Sequence, residues 1–204
     1  MDTMNYQWVV GIDEAGRGPI AGPVAVGAVS WKLDDRELLN DLARIFPIVK
    51  DSKQLSEKRR EALCAAVVDC EQRTTLRYSV ALVAPSYVDT HGIVPSIHRG
   101  VASVLAKVIN DSHDVFVMLD GGLKAPQEYI HQKTCIKGDT MHAPIALASI
   151  VAKVLRDRYM VRVAQKYPGY GFEKHKGYGT KAHYEALRRL GVTEIHRKSF
   201  LASF

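Results

Sequence analysis

Short apolar runs that end in an acidic residue recur along the chain. Residues 8–12 form such a run and are followed directly by Asp13 and Glu14, and residues 114–119 lead to Asp120. Runs of this length and composition are typical of buried β-strands. We therefore predict two strands that each present a carboxylate at one end.

Three further segments have the character of strands. Residues 24–31 form an apolar run after the glycine- and proline-rich stretch 16–23, which predicts two strands joined by a loop. Residues 75–84 are another candidate, and 133–137 is a weaker one that leads to Asp139. A third acidic position thus follows an apolar segment.

Helical periodicity separates these runs. Ser56 can cap a helix over 56–70, and a helix with Pro95 in its first turn carries one apolar stripe as far as residue 108. A longer helix is predicted over 144–165, and a short one over 180–190 ends at a glycine.

Strands and helices that alternate after an opening pair of strands indicate an α/β fold, with a mixed β-sheet and helices packed on it. We expect residues 1–166 to form this sheet domain. A basic, aromatic and glycine-rich stretch over 167–179 breaks the long helix. Residues 167–204 are therefore predicted to be a small helical extension.

The overall charge adds a weak pointer to the partner. The chain has 28 Lys and Arg residues against 22 Asp and Glu residues, a net charge of +6 over 204 residues, and its isoelectric point is near 9.2. This balance favours a polyanionic partner such as nucleic acid, although many basic proteins of this size bind none.

The sequence also argues against some classes of protein. No segment has the pattern of a secretory signal or approaches the roughly 20 apolar residues of a membrane span, so we expect a cytoplasmic protein without membrane contact. Cys64, Cys70 and Cys135 have no metal-binding spacing and are interpreted as small buried side chains. No zinc site is expected.

Four acidic residues are the candidates for chemistry: Asp13, Glu14, Asp120 and Asp139. An adjacent pair such as Asp13 and Glu14 is, by itself, more often a solvated loop. Neighbouring side chains of a strand point to opposite faces, so both can serve one site only if the backbone turns there. Convergent carboxylates repel one another unless cations neutralise them, and Mg²⁺ and Mn²⁺ prefer oxygen ligands. Two such ions can support phosphodiester hydrolysis without a protein nucleophile.

The long helix also carries a polar face. Ser149, Lys153 and Arg156 share it at spacings of four and three residues. Such a face can meet phosphates, but a solvated helix surface explains an isolated stripe of this kind equally simply. Asp157 follows Lys153 by four residues and is interpreted as its ion-pair partner rather than as a metal ligand.

Several motifs, in one order along the chain, resemble the bacterial type 2 ribonucleases H, the ribonuclease HII family. The opening stretch 11–24, GIDEAGRGPIAGPV, is the most specific of them. The others are DSKQLS at 51–56, LDG at 119–121, KGD at 137–139, ASIVAKV at 148–154 with RDR at 156–158, YGF at 170–172 with HKGY at 175–178, and HRKSF at 196–200.

The resemblance implies a ribonuclease H-like sheet and a metal-dependent endoribonuclease. The metal-binding and catalytic residues would be Asp13, Glu14, Asp120 and Asp139, with two Mg²⁺ or Mn²⁺ ions in the active complex. The substrates would be RNA–DNA hybrids and duplex DNA with embedded ribonucleotides, as in ribonucleotide excision repair. Cleavage would occur 5′ of the ribonucleotide and leave 3′-hydroxyl and 5′-phosphate ends.

The same resemblance implies how substrate is recognised. Gly16, Arg17 and Gly18 would contact the ribonucleotide through the backbone, and Tyr178 would lie at the RNA-to-DNA junction, where its ring can stack on a sugar. The candidates to hold phosphates are Lys53, Ser149, Lys153, Arg156, His175 and Lys176. A monomer is expected. The C-terminal SFLASF is only faintly like a clamp-binding tail, so no sliding-clamp partner is predicted.

Three rival interpretations remain at this point. Ribonuclease HIII shares the acids but typically carries an added N-terminal domain, whereas twelve residues precede Asp13 here. DNA resolvases and transposases have a similar sheet, but Gly16-Arg17-Gly18 and Tyr178 argue against them. A non-catalytic nucleic-acid-binding module would not need all four acids. Loops after Asp120 and Asp139 depart from the commoner family wording, which leaves their geometry open.

Overall fold

A mixed five-stranded sheet forms the centre of the molecule, in a computed structural model that describes residues 6–49 and 55–202. The strands are β1 (Trp8–Ala15), β2 (Val24–Lys32), β3 (Arg77–Val83), β4 (Val115–Asp120) and β5 (Gln132–Cys135). Their order in the sheet is β3-β2-β1-β4-β5. The first three strands in this order pair antiparallel, whereas β1, β4 and β5 are parallel. The predicted mixed α/β sheet is therefore confirmed.

The four helices that the sequence predicts begin and end within about three residues of the predicted bounds. Ser56 and Thr180 act as N-caps, since their side chains accept hydrogen bonds from backbone N–H groups three residues on. The helices are α1 (Arg36–Val49), α2 (Glu57–Arg73), α3 (Pro85–His91), α4 (Ile93–Val108), α5 (Gly138–Met141), α6 (Ala143–Lys166), α7 (Phe172–His175) and α8 (Lys181–Leu190), and a 3-10 turn covers Lys198–Phe200.

Alternation along the strands divides the core into two layers. Val9 points to the face covered by α1, α2 and α6, whereas Val10 and Ile12 point to the face covered by α4. Both faces of the central strands are buried, which explains why β1 and β2 read as continuous apolar runs rather than as alternating ones.

Two glycines let α6 lie against the sheet. A Cβ added to Gly11 would stand 1.9 Å from the carbonyl carbon of Pro144, and one added to Gly27 would stand 2.4 Å from the carbonyl oxygen of Ala148. The helix backbone therefore contacts the backbone of β1 and β2 directly. This contact brings the beginning of α6 beside the end of β1, where Asp13 lies.

Some elements differ from the sequence-based expectations. Helices α1 and α3 were not predicted; α1 buries Leu38 and Leu42, one helical turn apart, in the core layer under α6. The last strand covers Gln132–Cys135 rather than 133–137, because the backbone of Lys137 turns to a left-handed conformation with φ of 55°.

The C-terminal part forms a third apolar cluster with the loop after β1. Ile20 and Ala21 pack there with Met160 of α6 and with Phe172 and Leu187 of the C-terminal helices. The division of the chain at residue 166 stays a prediction. Among the described residues, no helix is both long and apolar enough to cross a membrane.

Candidate active site

The sheet brings two of the predicted acids together. The parallel pairing of β1 with β4 sets Ile12 opposite Leu119. Asp13 and Asp120 follow one residue later, so they lie at the same level of neighbouring strands. Asp13 is buried and Asp120 is half-buried at the end of β4.

The electrostatics of Asp13 reflect this crowding. Its pKa is raised from 3.8 to about 8, chiefly by burial and also by the carboxylates of Glu14 and Asp120, against an opposing hydrogen bond from the Ser149 hydroxyl. The backbone N–H of Glu14 donates to Asp13 Oδ1 at 2.7 Å. Burial likewise raises the pKa of Glu14, and the nearby Arg17 guanidinium opposes that rise. The ionised acids are thus disfavoured without a cation.

Glu14 reaches the same site, although the backbone does not turn where we expected. Strand β1 continues through Ala15, and the turn begins only at Gly16, with φ of 81°. The longer side chain of Glu14 still interacts electrostatically with Asp120. It forms an ion pair with Arg17 at 3.5 Å.

Asp139 lies in the first turn of α5 and is buried. The preceding residue, Gly138, donates its N–H to Asp120 Oδ1 at 2.7 Å, which ties the beginning of α5 to the end of β4. A side chain at Gly138 would stand 2.4 Å from Ile145. The residue directly before Asp139 therefore contacts the acid at the end of β4.

The chemistry of this donor set fits a divalent cation. Three mutually repelling carboxylates, partly removed from water, favour a positive ion among them, and carboxylate oxygens are the ligands that Mg²⁺ and Mn²⁺ prefer. Across residues 6–49 and 55–202, no three acidic, histidine or cysteine side chains stand at the spacing of a closed metal site. Binding would require the acids to draw closer than they lie here.

A cavity of about 400 Å³ opens beside these acids. The loop after β1 forms one wall and α6 forms another, and Tyr178 stands at its rim. Its lining residues are Glu14, Ala15, Gly16, Arg17, Gly18, Arg60, Ser149, Ile150, Lys153 and Tyr178. The structure thus brings the predicted loop, the tyrosine and part of the polar face of α6 into one concavity.

Arg156 does not lie where the sequence-based prediction put it. Its guanidinium is fully buried and donates to the carbonyls of Ala21, Pro23 and Lys176 at 2.9–3.2 Å. Three of its donors are thus directed to backbone oxygens, and Nη1 also lies 3.9 Å from Asp157 Oδ1. The phosphate contact of Arg156 stays a prediction, and this buried setting does not support it. A Cβ at Gly16 would stand 1.9 Å from Arg156 Nε, which leaves glycine as the residue that fits there.

The ring of Tyr178 is accessible and is flanked by positive charge. Tyr178 is 43% exposed, and Lys153 Nζ lies 5.6 Å from its ring centroid. Lys153 also forms an ion pair with Asp157 Oδ1 at 2.9 Å, as the spacing predicted. An aromatic face beside cations is suited to a nucleic-acid backbone and sugar.

The remaining phosphate candidates have other partners. His175 uses both ring nitrogens inside the protein, one with the carbonyl of Tyr170 and one with the N–H of Gly177. The ammonium of Lys176 donates to the carbonyl of Glu173 and lies 3.7 Å from Glu57. Ser149 contacts Asp13 and lines the cavity. Lys53 lies outside the described residues.

A chain of hydrogen bonds between buried histidines supports the backbone of Tyr178. The carbonyl of Tyr178 can only accept, so His183 Nδ1 carries the proton of their 2.9 Å bond. In neutral His183, Nε2 then accepts from His196 Nε2 at 3.2 Å. His196 Nδ1 in turn accepts from the N–H of Thr193 at 3.0 Å. Each ring is satisfied only as the neutral form.

The hydrogen bonds of neutral His183 predict a contribution to stability that is lost in acid. Burial lowers the pKa of His183 from 6.5 to about 4, so the unfolded state binds more protons between these values. The contribution of His183 to the free energy of unfolding should therefore fall by up to about 3 kcal/mol as the pH drops through that window. Comparison with a variant that lacks the imidazole separates this contribution from those of other titrating groups. Thermal melts from pH 7 to pH 4 would measure it.

His183→Asn, which retains a donor toward Tyr178, should flatten this pH dependence. His98→Asn on the exposed side of α4 is the matched control. Equal flattening in both variants would contradict the role given to His183.

Two residues of the site were not predicted from the sequence. Arg60 on α2 lines the cavity, but three basic residues in succession on a helix read as solvated charge. Arg197 is fully buried against the loop of Gly16 and Arg17. Arg197 belongs to the motif HRKSF, but nothing in the pattern of that motif indicates a buried arginine.

Known proteins are similar to this chain over nearly its whole length. The sequence model of the family described as Ribonuclease HII matches residues 10–203. A protein from Caldicellulosiruptor bescii named ribonuclease HII is 42% identical over 196 residues, which cover 96% of this chain and 87% of that protein.

Solved structures are similar over the whole fold. The ribonuclease HII of Archaeoglobus fulgidus, solved as a complex with PCNA, superposes with a TM-score of 0.71 and 26% identity over 93% of both chains. Bst ribonuclease HIII in complex with Mn²⁺ superposes with a TM-score of 0.67 and 18% identity, over 98% of this chain and 70% of that one. At that identity the second likeness concerns the fold alone.

Proposed function

The chain belongs to the ribonuclease HII family, and on that premise we propose that this ribonuclease H hydrolyses the RNA strand of RNA–DNA hybrids and nicks duplex DNA on the 5′ side of embedded ribonucleotides. The products would be 3′-hydroxyl and 5′-phosphate ends. The observation that carries the proposal is the meeting of Asp13, Glu14 and Asp120 beside a cavity rimmed by the Gly16–Gly18 loop and Tyr178.

Asp13, Glu14, Asp120 and Asp139 are the residues that we propose to hold divalent ions. Two such ions would supply an activated water and charge stabilisation at the phosphate. The protein contributes rigid placement, since Asp13 and Asp120 stand on paired strands of the central sheet. The Ser149 hydroxyl interacts with the Asp13 carboxylate and lowers its pKa, against the effect of burial. These carboxylate ligands suit both Mg²⁺ and Mn²⁺.

Recognition of RNA needs a sensor of the 2′-hydroxyl, the group that distinguishes RNA from DNA. We assign it to the backbone of Gly16, Arg17 and Gly18, because glycines permit close approach of a ligand. The side chain of Arg17 is more than half exposed and can contact the phosphate backbone of the substrate. We propose the same contact for Lys153. Lys53 stays a predicted phosphate contact.

One assay tests the proposal. A DNA duplex with a single ribonucleotide is incubated with the protein and Mg²⁺ or Mn²⁺, and the nick is mapped at nucleotide resolution. We expect one cut 5′ of the ribonucleotide and none in the all-DNA duplex. Tight binding without any metal-dependent cut would favour a non-catalytic binding module instead.

Tyr178→Ala is expected to reduce nicking at a single ribonucleotide by about 10- to 100-fold, because base or sugar stacking on an aromatic ring contributes about 1–3 kcal/mol. Binding to an all-DNA duplex should change much less, since the phosphate contacts remain. Initial rates and gel-shift titrations measure the two effects. Tyr178→Phe, which keeps the ring, is the matched control, and equal losses of nicking and duplex binding would assign Tyr178 a structural role.

The oligomeric state and the cellular compartment stay as the sequence predicts them. We propose a monomer that acts in the cytoplasm on ribonucleotides left in DNA, as in ribonucleotide excision repair. The Archaeoglobus fulgidus protein was solved with PCNA, but the C-terminal residues 203–204 lie outside the described ranges, and we propose no sliding-clamp partner.

A further inference from the structure

Arg197 is fully buried and holds the loop after β1 from behind. Its Nη2 donates to the carbonyl of Gly16 at 2.7 Å, its Nη1 to that of Arg17 at 2.9 Å, and its Nε to that of Gly22 at 3.0 Å. No salt bridge joins it to any residue in the described ranges. A cation therefore stands inside the protein with backbone oxygens as its hydrogen-bond partners.

These bonds decide which way two peptide groups face. In a trans peptide unit the N–H points opposite to the C=O. Since the carbonyls of Gly16 and Arg17 point to Arg197, the N–H groups of Arg17 and Gly18 point away from it. Gly16, Arg17 and Gly18 all line the cavity beside this loop. Within the described part of the chain, neither N–H has a hydrogen-bond partner.

We infer that Arg197 is a positioning residue for substrate: by holding two carbonyls, it aims the N–H groups of Arg17 and Gly18 into the cavity as donors to oxygen atoms of the ribonucleotide. The inference rests on the proposed function of this loop. Successive backbone N–H groups that face one side form a concavity for negative or oxygen-rich groups. Space is open at Gly18, where an added Cβ would meet nothing within 4 Å.

An arginine is suited to this position for two reasons. Its planar fork carries donors in fixed directions, so one side chain can hold three carbonyls, whereas the ammonium of lysine is a single point. Its charge also stands directly behind the two N–H groups and adds to their attraction for a phosphate. Burial and the nearby Arg156 lower the pKa of Arg197 to about 10, so the guanidinium stays charged at neutral pH.

The test compares Arg197→Lys and Arg197→Gln with wild type on two duplexes that differ only by one 2′-hydroxyl. We expect the preference for the ribonucleotide duplex to fall by roughly 10- to 100-fold, the range for residues that orient a direct ligand. The fall should be in kcat more than in KM, with all-DNA binding changed less than about threefold. Leu187→Ala, in the C-terminal apolar cluster, is the control for lost stability alone.

A readout independent of cleavage separates this inference from the proposed function. In the wild type, the backbone amide resonances of Arg17 and Gly18 should each be single and should shift when the ribonucleotide duplex is added. In Arg197→Lys they should broaden or split, because the peptide groups are no longer held. Unchanged resonances or full preference in both variants would overturn the inference, as would an equal loss in Leu187→Ala. A wild type that nicks nothing would instead overturn the proposed function.

Discussion

Asp13→Asn and Asp120→Asn are expected to lower kcat for ribonucleotide nicking by about 10²–10⁴-fold while preserving the fold and duplex binding. An amide keeps the shape of the side chain but lacks the charge that holds a cation. A metal ion supplies several kcal/mol of charge stabilisation at the reacting phosphate, and a loss of about 3–5 kcal/mol corresponds to that range of rates. Single-turnover nicking at saturating Mg²⁺ and gel-shift titrations measure the two quantities.

Stability provides the control for Asp13→Asn. The pKa of Asp13, about 8, lies above its ordinary 3.8, so the folded state keeps a proton that the unfolded state releases between these values. The contribution of Asp13 to the stability of the metal-free wild type should therefore decrease as the pH rises through this window. Asp13→Asn lacks this decrease and should melt higher at pH 7. Variants with near-normal turnover at saturating metal would refute the metal-site assignment.

Asp139→Asn and Asp157→Asn should behave in opposite ways. Asp139 follows Gly138, whose N–H donates to Asp120 Oδ1. As a proposed metal ligand next to this contact, Asp139→Asn is expected to lower turnover by about 10²–10⁴-fold with little change in melting temperature. Asp157 is bonded to Lys153, and Asp157→Asn is expected to lower stability by about 1–3 kcal/mol with a smaller effect on turnover.

The two variants serve as controls for each other, because both remove one buried or nearly buried carboxylate. Thermal melts with and without Mg²⁺ should show a metal-dependent rise that is reduced in Asp139→Asn and retained in Asp157→Asn. An inactive but stable Asp157→Asn, together with an active Asp139→Asn, would mean that Asp157 is the metal ligand.

The sheet was predictable from the sequence because β1 and β4 are buried on both faces and each ends at an acid. Apolar runs bounded by Asp13 and Asp120 therefore predicted both strands and the end at which each presents its acid. Helix α1 was not predicted although a cap residue precedes it: the N–H of Leu38 donates to Asp35 Oδ1 at 3.0 Å. Its packing in the core layer under α6 is visible only in three dimensions.

The surroundings of the candidate phosphate-binding residues could not be predicted from the sequence, for a physical reason. On α6, Ser149, Lys153 and Arg156 share one face, and their pattern is the same whether they meet solvent, substrate or a distant segment. Arg156 meets carbonyls more than 130 residues away in sequence. A local pattern carries no information about such a contact, whereas Lys153 and Asp157, four residues apart, were paired correctly.

The hold of Arg197 on the loop after β1 has a consequence for the order of folding during synthesis. Arg197 is 180 and 181 residues away from the carbonyls of Arg17 and Gly16 that it binds. Contacts of such separation form late, and chains leave the ribosome from the N-terminus at about 5–20 residues per second. The acids of β1 emerge long before the loop beside them can be held. A nascent chain therefore carries Asp13 and Glu14 before the loop at residues 16–18 is held, and Arg197 can hold that loop only after it has left the ribosome.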